Sequence, residues 1–168
     1  MDSDLDVLAR TLWGEARGAG VTGMKHVASV ILNRAAHPRW WGTDVRSVCL
    51  KPYQFSCWNA DDPNLPKMRA VTVADRNFSD ARYIAGQALA GAVVDETGGA
   101  DSYYALSMPR PPAWAAEAAH TMSDGFHAFW RVELPAPGGA PPPAAQVVAS
   151  GDDAADDLNA AELNKHRG

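Results

Sequence analysis

The sequence predicts an α+β domain that is mainly helical and carries a small antiparallel sheet. Apolar residues recur at helical spacing in three stretches within residues 4–93. Two short aromatic-rich stretches, DSYYAL at 101–106 and HAFWRVEL at 127–134, have the composition of strands and are separated by a proline-rich loop. These observations predict helices first and a small sheet after them.

The three predicted helices have recognisable ends. The first covers residues 4–16 and stops at Gly18. The second begins after GAG at 18–20, where Thr22 can cap it, and ends at HP 37–38. The third runs from about Ser79 to Val93. The stretch between the second and third helices contains so many turn residues that we predict no regular structure there.

The length of 168 residues suits one domain with a proper core but hardly two. Residues 135–168 contain no aromatic residue and are dominated by Ala, Pro, Gly and Asp. Such a segment cannot bury enough apolar surface to offset its ordering entropy. We therefore expect a folded domain at 1–134 and a disordered tail at 135–168.

The charge and hydropathy patterns disfavour some classes of binding partner. The formal net charge is −5 without a basic face, which disfavours nucleic acid. The sequence contains no run of 18 apolar residues to span a membrane, and MDSDLDVLAR at the start is acidic where a secretory signal would be basic. We expect a monomer that stays in the cytoplasm until something releases it.

The segment LARTLWGEARG at 8–18 carries one carboxylate, Glu15, in an otherwise apolar helix. On a helical wheel Glu15 lies about 20° from Leu8, at the rim of the apolar stripe. A carboxyl placed there, beside Trp13, loses solvation, which is expected to raise its pKa and suit it to act as a general acid. The alternative is an ion pair with Arg10 or Arg17, or a cap on the GAG turn.

Several separate motifs, in order along the chain, resemble one family. They are LARTLWGEARG, GVTGMKHVASVILNRAAHPRWWG, VCLKPYQFSCW, DDPN, and AGQALAGAVVDETGGADSYYA followed by PAWA. They resemble the cell-wall hydrolase family of spore cortex-lytic enzymes (SleB type), over about residues 8–131. The resemblance implies a lysozyme-like fold and cleavage of peptidoglycan glycan strands between N-acetylmuramic acid and N-acetylglucosamine, often as a lytic transglycosylase. It maps the catalytic glutamate onto Glu15. We expect no cofactor and no metal.

The long loop offers residues that could hold sugar. Its aromatic residues surround polar ones, as in sugar sites, and of Trp40, Trp41 and Phe55 we expect at least half to be core. Within the QFSCW motif, the Gln54 amide suits an acetamido group. The predicted substrate-binding residues are Gln54, Ser56, Trp58, Tyr103, Tyr104 and Asn33.

Two of these assignments carry open alternatives. Asn33 either orients Glu15 or caps a turn. Of Tyr103 and Tyr104, at most one faces the groove, because neighbouring strand residues point to opposite sides. The family usually has HYHA where this chain reads SYYA, so any role of those histidines is absent or falls to the tyrosines.

The number of catalytic carboxylates separates two mechanisms. A transglycosylase needs only the acid, because the sugar's own 6-hydroxyl closes an anhydro ring, whereas a hydrolytic muramidase ordinarily needs a second carboxylate. The candidates for that second group all lie among loop residues, where turn-forming aspartates are common. They are Asp44, Asp61, Asp62, Asp75 and Asp101.

Rival functions find less support. A zinc amidase needs ligand spacing that the histidines lack, so we interpret them as scattered surface residues. A cysteine peptidase would need Cys49 or Cys57 at a helix start. We expect both cysteines to stay reduced in the cytoplasm. After export they can form a disulfide. A glycan-binding module without activity would not need Glu15. Because the start does not read as a secretory signal, the chain resembles a phage-type or phage-derived endolysin, which we expect to reach the wall through a holin pore.

Overall fold

The computed structural model describes residues 3–38 and 40–134. In this part of the chain the helices are α1 (Asp4–Ala16), α2 (Gly20–Ala36), α3 (Val45–Leu50), α4 (Leu65–Ala70) and α5 (Arg76–Leu89). The strands are β1 (Ser102–Ala105), β2 (Ala119–Ser123) and β3 (His127–Arg131). The expected α+β architecture is confirmed. The predicted tail at 135–168 lies outside the described residues.

The three long helices follow the apolar periodicity; α1 has the predicted bounds, while α2 and α5 begin earlier than predicted. The hydroxyl of Ser3 caps α1 by accepting from the Asp6 N–H at 3.1 Å. A 3₁₀ turn and Gly20, at φ 69°, lead directly into α2, so Thr22 lies inside that helix and the predicted cap is wrong. Asp75 caps the Phe78 N–H at 2.9 Å, so α5 starts three residues earlier than predicted, and it ends at Leu89, shortly before Gly91 at φ 72°.

The stretch predicted to lack regular structure contains α3, α4 and a 3₁₀ turn at Ser56–Trp58. Asp44 and Ser47 form a reciprocal capping box at the start of α3. Backbone and side-chain hydrogen bonds from Ser47 lower the pKa of Asp44. A proline in the first turn starts α4. Helices of one or two turns leave no periodic pattern, which explains the wrong prediction.

The sheet has the order β1-β3-β2, and both pairings are antiparallel. β1 and β3 coincide with the two predicted strands, and Tyr103 stands opposite Phe129. β2 was not predicted, because AHTMS lacks the aromatic and β-branched enrichment of its neighbours. It pairs with β3 through a register shift between His120 and Met122.

The core joins the sheet to the helices around a buried cation. Trp41 and Phe55 are fully buried while Trp40 is 37% exposed, which confirms the expected share of core aromatics. Both buried rings face the Arg34 guanidinium at 5.4 and 5.5 Å, and its Nε donates to the Asp101 carbonyl at 2.6 Å. Burial lowers the pKa of Arg34 against the opposing effect of Asp101.

The start of the sheet is tied to the segment that follows it. The Asp101 carboxylate accepts the backbone N–H groups of Val132, Glu133 and Leu134 at 2.7–3.1 Å. It also accepts the hydroxyl of Ser102 at 2.9 Å. Within residues 3–38 and 40–134, no helix combines the length and apolar character needed to cross a membrane.

Candidate active site

Glu15 lies in the last turn of α1 and is 1% exposed, deeper than the rim position that the helical wheel predicted. The two arginines considered as partners are engaged elsewhere. Arg10 binds the Asp6 carboxylate at 3.0 Å. The Arg17 guanidinium lies 4.4 Å from the centre of the Trp13 ring and donates to the Trp13 carbonyl at 3.2 Å.

The Glu15 carboxyl contacts two distant segments of the chain. The Tyr103 hydroxyl, on β1, donates to Oε2 at 2.8 Å, and the Cys57 N–H, in the 3₁₀ turn, approaches Oε1 at 3.4 Å. Both contacts are buried. A helix end, a loop and a strand therefore meet at this one carboxyl and hold it in place.

The preceding residue, Gly14, allows this close approach. A Cβ at Gly14 would lie 2.7 Å from the Cβ of Cys57 and 2.9 Å from its sulfur. The Cys57 thiol therefore packs against the backbone of α1, beside the sulfur of Met68. This packing brings the Cys57 N–H to Glu15 and gives the cysteine a structural role.

Glu15 lines a cleft of about 430 Å³ between the end of α1, the loop at 56–64 and the sheet. Polar groups converge on it from all three sides. They include Arg17, Ser56, Asp62, Asn64, Ser107 and His127. A cleft of this size with a few polar groups around one buried carboxyl has the form of a ligand-binding site.

The turn between β2 and β3 forms one wall of the cleft. Asp124 holds it by accepting the N–H groups of Phe126 and His127 at 2.9 and 2.8 Å, and its other oxygen binds His26 at 2.8 Å. Burial alone would raise the pKa of Asp124, but these hydrogen bonds outweigh burial, and the pKa is lowered. The His127 ring then meets Tyr103 edge-on at 5.2 Å.

The prediction that the histidines are scattered over the surface is wrong for two of them. His26 and His127 are buried, whereas His37 and His120 are exposed as expected. The Nε2 atom of His26 lies 3.6 Å from the carboxylate of Glu96, which is exposed. In the described part of the chain, no three His, Cys, Asp or Glu side chains are arranged to hold a metal ion.

Two residues predicted to bind substrate are not among those that line the cleft. Gln54 is 3% exposed, and its Oε1 has no hydrogen-bond partner among the described residues. Gln54 is not among the residues that line the cleft, so its predicted contact with a sugar stays a prediction. Asn33 donates to the Asp95 carboxylate at 3.0 Å and the Ala100 carbonyl at 2.9 Å. It holds the loop before β1 and does not contact Glu15.

The other predicted residues divide between surfaces. Ser56 lines the cleft, whereas Trp58 lines a neighbouring groove and donates from Nε1 to the Thr11 hydroxyl at 2.9 Å. Tyr103 and Tyr104 point to opposite sides, as the strand predicted. Tyr104 packs against Trp130 at 6.1 Å between ring centres and is directed away from Glu15.

The candidate second carboxylates also separate. Asp44 and Asp75 cap helices, and Asp101 holds the backbone after β3. Asp61 lines the neighbouring groove. Asp62 shares the cleft with Glu15, and its Oδ1 accepts the Asn64 N–H at 2.6 Å.

The two cysteines are buried thiols that form no disulfide with each other. Burial raises the pKa of Cys49 to about 12, although a hydrogen bond with Thr11 and the charge of Arg34 oppose the rise. A thiol with such a pKa is protonated at neutral pH and unreactive. Cys49 therefore does not suit the nucleophile of a peptidase.

The sequence reasoning did not identify several residues of the cleft. Asn64 and Ser107 are ordinary turn residues in the sequence, and Gly125 and Phe126 belong to a turn whose first strand was not predicted. His127 stands at the start of a predicted strand and shortly after SDG, which is typical of a turn. This position beside a turn was the sequence feature that could have placed it in the cleft.

Comparisons with known proteins agree with this architecture. The profile of the family described as Cell Wall Hydrolase matches residues 18–130 and begins three residues after Glu15. The catalytic domain of the germination-specific lytic transglycosylase SleB from Bacillus anthracis is 25% identical, with a TM-score of 0.56 over 76% of this chain and 93% of that one.

A second solved structure gives the same result. The catalytic domain of the Bacillus cereus SleB protein is 27% identical, with a TM-score of 0.51 over 76% of this chain and 89% of that one. Among curated protein sequences, none matches the chain. The expected lysozyme-like fold is confirmed by these similarities.

Proposed function

The chain belongs to the Cell Wall Hydrolase family, and from this premise we propose that it cleaves the glycan strands of peptidoglycan as a lytic transglycosylase with Glu15 as its catalytic acid. One observation carries the proposal. The Glu15 carboxyl lines the cleft while it is buried and held by Tyr103 and Cys57. The similarity to a lytic transglycosylase domain supports the reaction type.

The proposed reaction uses one carboxyl twice. Glu15 gives its proton to the glycosidic oxygen between N-acetylmuramic acid and N-acetylglucosamine as the bond from that oxygen to C1 breaks. The 6-hydroxyl of the muramic acid sugar then bonds to C1 and returns its proton to Glu15. The products are a 1,6-anhydro end and a free 4-hydroxyl, and the acid is regenerated without water.

Hydrolysis is the second candidate, because Asp62 lines the same cleft. In that mechanism water takes the place of the 6-hydroxyl, and a second carboxylate assists its attack or stabilises the positive charge. Mass spectrometry of the products separates the two, since an anhydro end is one water lighter than a reducing end. The endolysin role, release by a holin and the cytoplasmic location stay predictions.

The substitution Glu15→Gln tests the catalytic role. The amide keeps the shape of the side chain but has no proton to transfer, so cleavage of purified sacculi should fall by about two or more powers of ten. Glu117→Gln, at an exposed residue that is not part of the cleft lining, is the matched control and should cleave normally. Melting curves check the fold. Cleavage at the wild-type rate by a folded Glu15→Gln variant would refute the assignment.

A further inference from the structure

A buried histidine–carboxylate pair joins α2 to the turn between β2 and β3. His26 is 4% exposed, and its Nδ1 lies 2.8 Å from Oδ2 of Asp124, 98 positions away in the chain. Hydrogen bonds lower the pKa of Asp124 against the opposing effect of burial, so this group is a carboxylate at neutral pH. A carboxylate only accepts hydrogen bonds, so Nδ1 of His26 carries a proton and is the donor.

The histidine side of the pair is fixed in the core. The residues that flank His26 on α2, Met24, Val27 and Ala28, are all fully buried. The His26 ring also meets the ring of Phe129 on β3 edge-on at 5.5 Å. Side chains in a close-packed core keep one position, so His26 is a rigid anchor for whatever it binds.

The carboxylate side of the pair holds the backbone of the turn. Oδ1 of Asp124 accepts the N–H groups of Phe126 and His127, and the Asp124 N–H donates to the His127 carbonyl at 3.1 Å. Gly125 reverses the chain at φ 91°, a conformation that favours glycine. Gly125, Phe126 and His127 line the cleft, whereas neither member of the pair does. The pair therefore acts on the cleft through this turn.

The turn in turn contacts the residues around the buried carboxyl. The His127 ring lies edge-on to Tyr103 at 5.2 Å, and the Tyr103 hydroxyl donates to Glu15 at 2.8 Å. A displacement of about 1 Å in an active site can lower the rate about 100-fold. A buried polar pair contributes little to stability by comparison, because apolar residues of similar volume often replace it without loss. The directional bond between His26 and Asp124 thus suits the control of geometry.

We propose that His26 and Asp124 are positioning residues, which hold this wall of the cleft in the place that cleavage by Glu15 requires. The inference rests on the proposed function for the reaction itself. Neither residue contacts the substrate. Loss of the His26 donor should free the turn, lower kcat and expose the backbone N–H groups of the turn to exchange with solvent.

The test separates the donor from the ring. His26→Leu removes the donor and keeps an apolar side chain, whereas His26→Asn restores an N–H on an atom bonded to Cγ, as Nδ1 is. The matched control is His37→Leu, at an exposed histidine that ends the same helix and does not line the cleft. The measurements are kcat and KM on purified sacculi, well below the melting transition, and amide hydrogen exchange at Phe126 and His127 by NMR.

We expect His26→Leu to lower kcat about tenfold and to speed exchange at the two amides about tenfold. His26→Asn should recover both to within about threefold of wild type, and His37→Leu should change neither. If His26→Leu does not fold, His26→Gln replaces it with the same expectations, because its amide nitrogen lies one bond further from Cβ than Nδ1 does.

Three results would overturn the proposal. Unchanged exchange in His26→Leu means that the histidine does not hold the turn. Faster exchange with an unchanged kcat makes the pair merely structural. Equal losses in His26→Leu and His26→Asn assign the effect to the ring and not to the donor. An inactive wild type would instead refute the proposed cleavage, and exchange that rises in His26→Leu and recovers in His26→Asn would still support the hold on the turn.

Discussion

Tyr103→Phe tests whether the buried contact with Glu15 organises the active site. The substitution removes one oxygen, which donates to Glu15 Oε2 at 2.8 Å, and keeps the ring. The ring packs edge-on against His127 at 5.2 Å and beside Phe129 at 5.6 Å, so the apolar contacts survive. The change therefore isolates a single donor.

The magnitude follows from burial. Loss of a donor to a buried polar group costs about 1–3 kcal/mol, since water cannot replace it. For a folded part of about 130 residues, this lowers Tm by roughly 4–11 °C. If the carboxyl also needs this donor for its orientation in the transition state, about 1.4 kcal/mol of that cost reduces turnover tenfold.

The assay pairs thermal melting with the release of soluble fragments from purified sacculi. Tyr104→Phe is the matched control, since Tyr104 is the next residue on the same strand and packs against Trp114 and Trp130 on the other side. We expect the control to keep its turnover. If both phenylalanine variants had the same turnover, the Tyr103 hydroxyl would have no role in catalysis and the reasoning would fail.

Two further perturbations act on the packing around this carboxyl. Gly14→Ala places a Cβ 2.7 Å from that of Cys57, so it should lower the free energy of unfolding by about 1–3 kcal/mol and lower activity. The control is Gly86→Ala, in a helix where the new Cβ has its nearest neighbour at 3.9 Å. Its melting temperature should be unchanged or higher. Because the pKa of Asp124 is lowered from its ordinary value of 3.8, its carboxylate stabilises the fold at pH above 3.8, and this stability is lost as the pH falls through the folded-state pKa. Tm should therefore drop in acid, and Asp124→Asn should remove part of that drop. An unchanged dependence of Tm on pH in the variant would contradict the role of this carboxylate.

The sequence was informative where local chemistry decides the structure. The apolar stripes of α1 and α2 run over four to five turns and are unambiguous, so their bounds were predicted closely. Glu15 could be singled out because a carboxylate beside an apolar stripe contradicts the pattern around it. The alternation of a strand was enough to separate Tyr103 from Tyr104.

The rest depended on contacts between distant segments. Gln54 and Trp58 belong to one short motif, yet Gln54 is buried and Trp58 lines a groove, a difference that the motif itself does not predict. His26 has no local feature that predicts burial, since its partner Asp124 is 98 positions away. β2 exists only because β3 offers it an edge, so its own residues did not predict it.

The contacts of Glu15 also determine when the site can exist. Its donors lie 42 and 88 positions later in the chain, so neither a nascent chain nor an isolated helical half contains both. Closing such long loops comes late in folding, because their entropy must be overcome before the contacts stabilise the chain. The glutamate is thus unassembled on the ribosome until the sheet has been made. On the proposed role of Glu15, we expect wall-degrading activity only from the finished domain, and its appearance during refolding should report the docking of the sheet onto the helices.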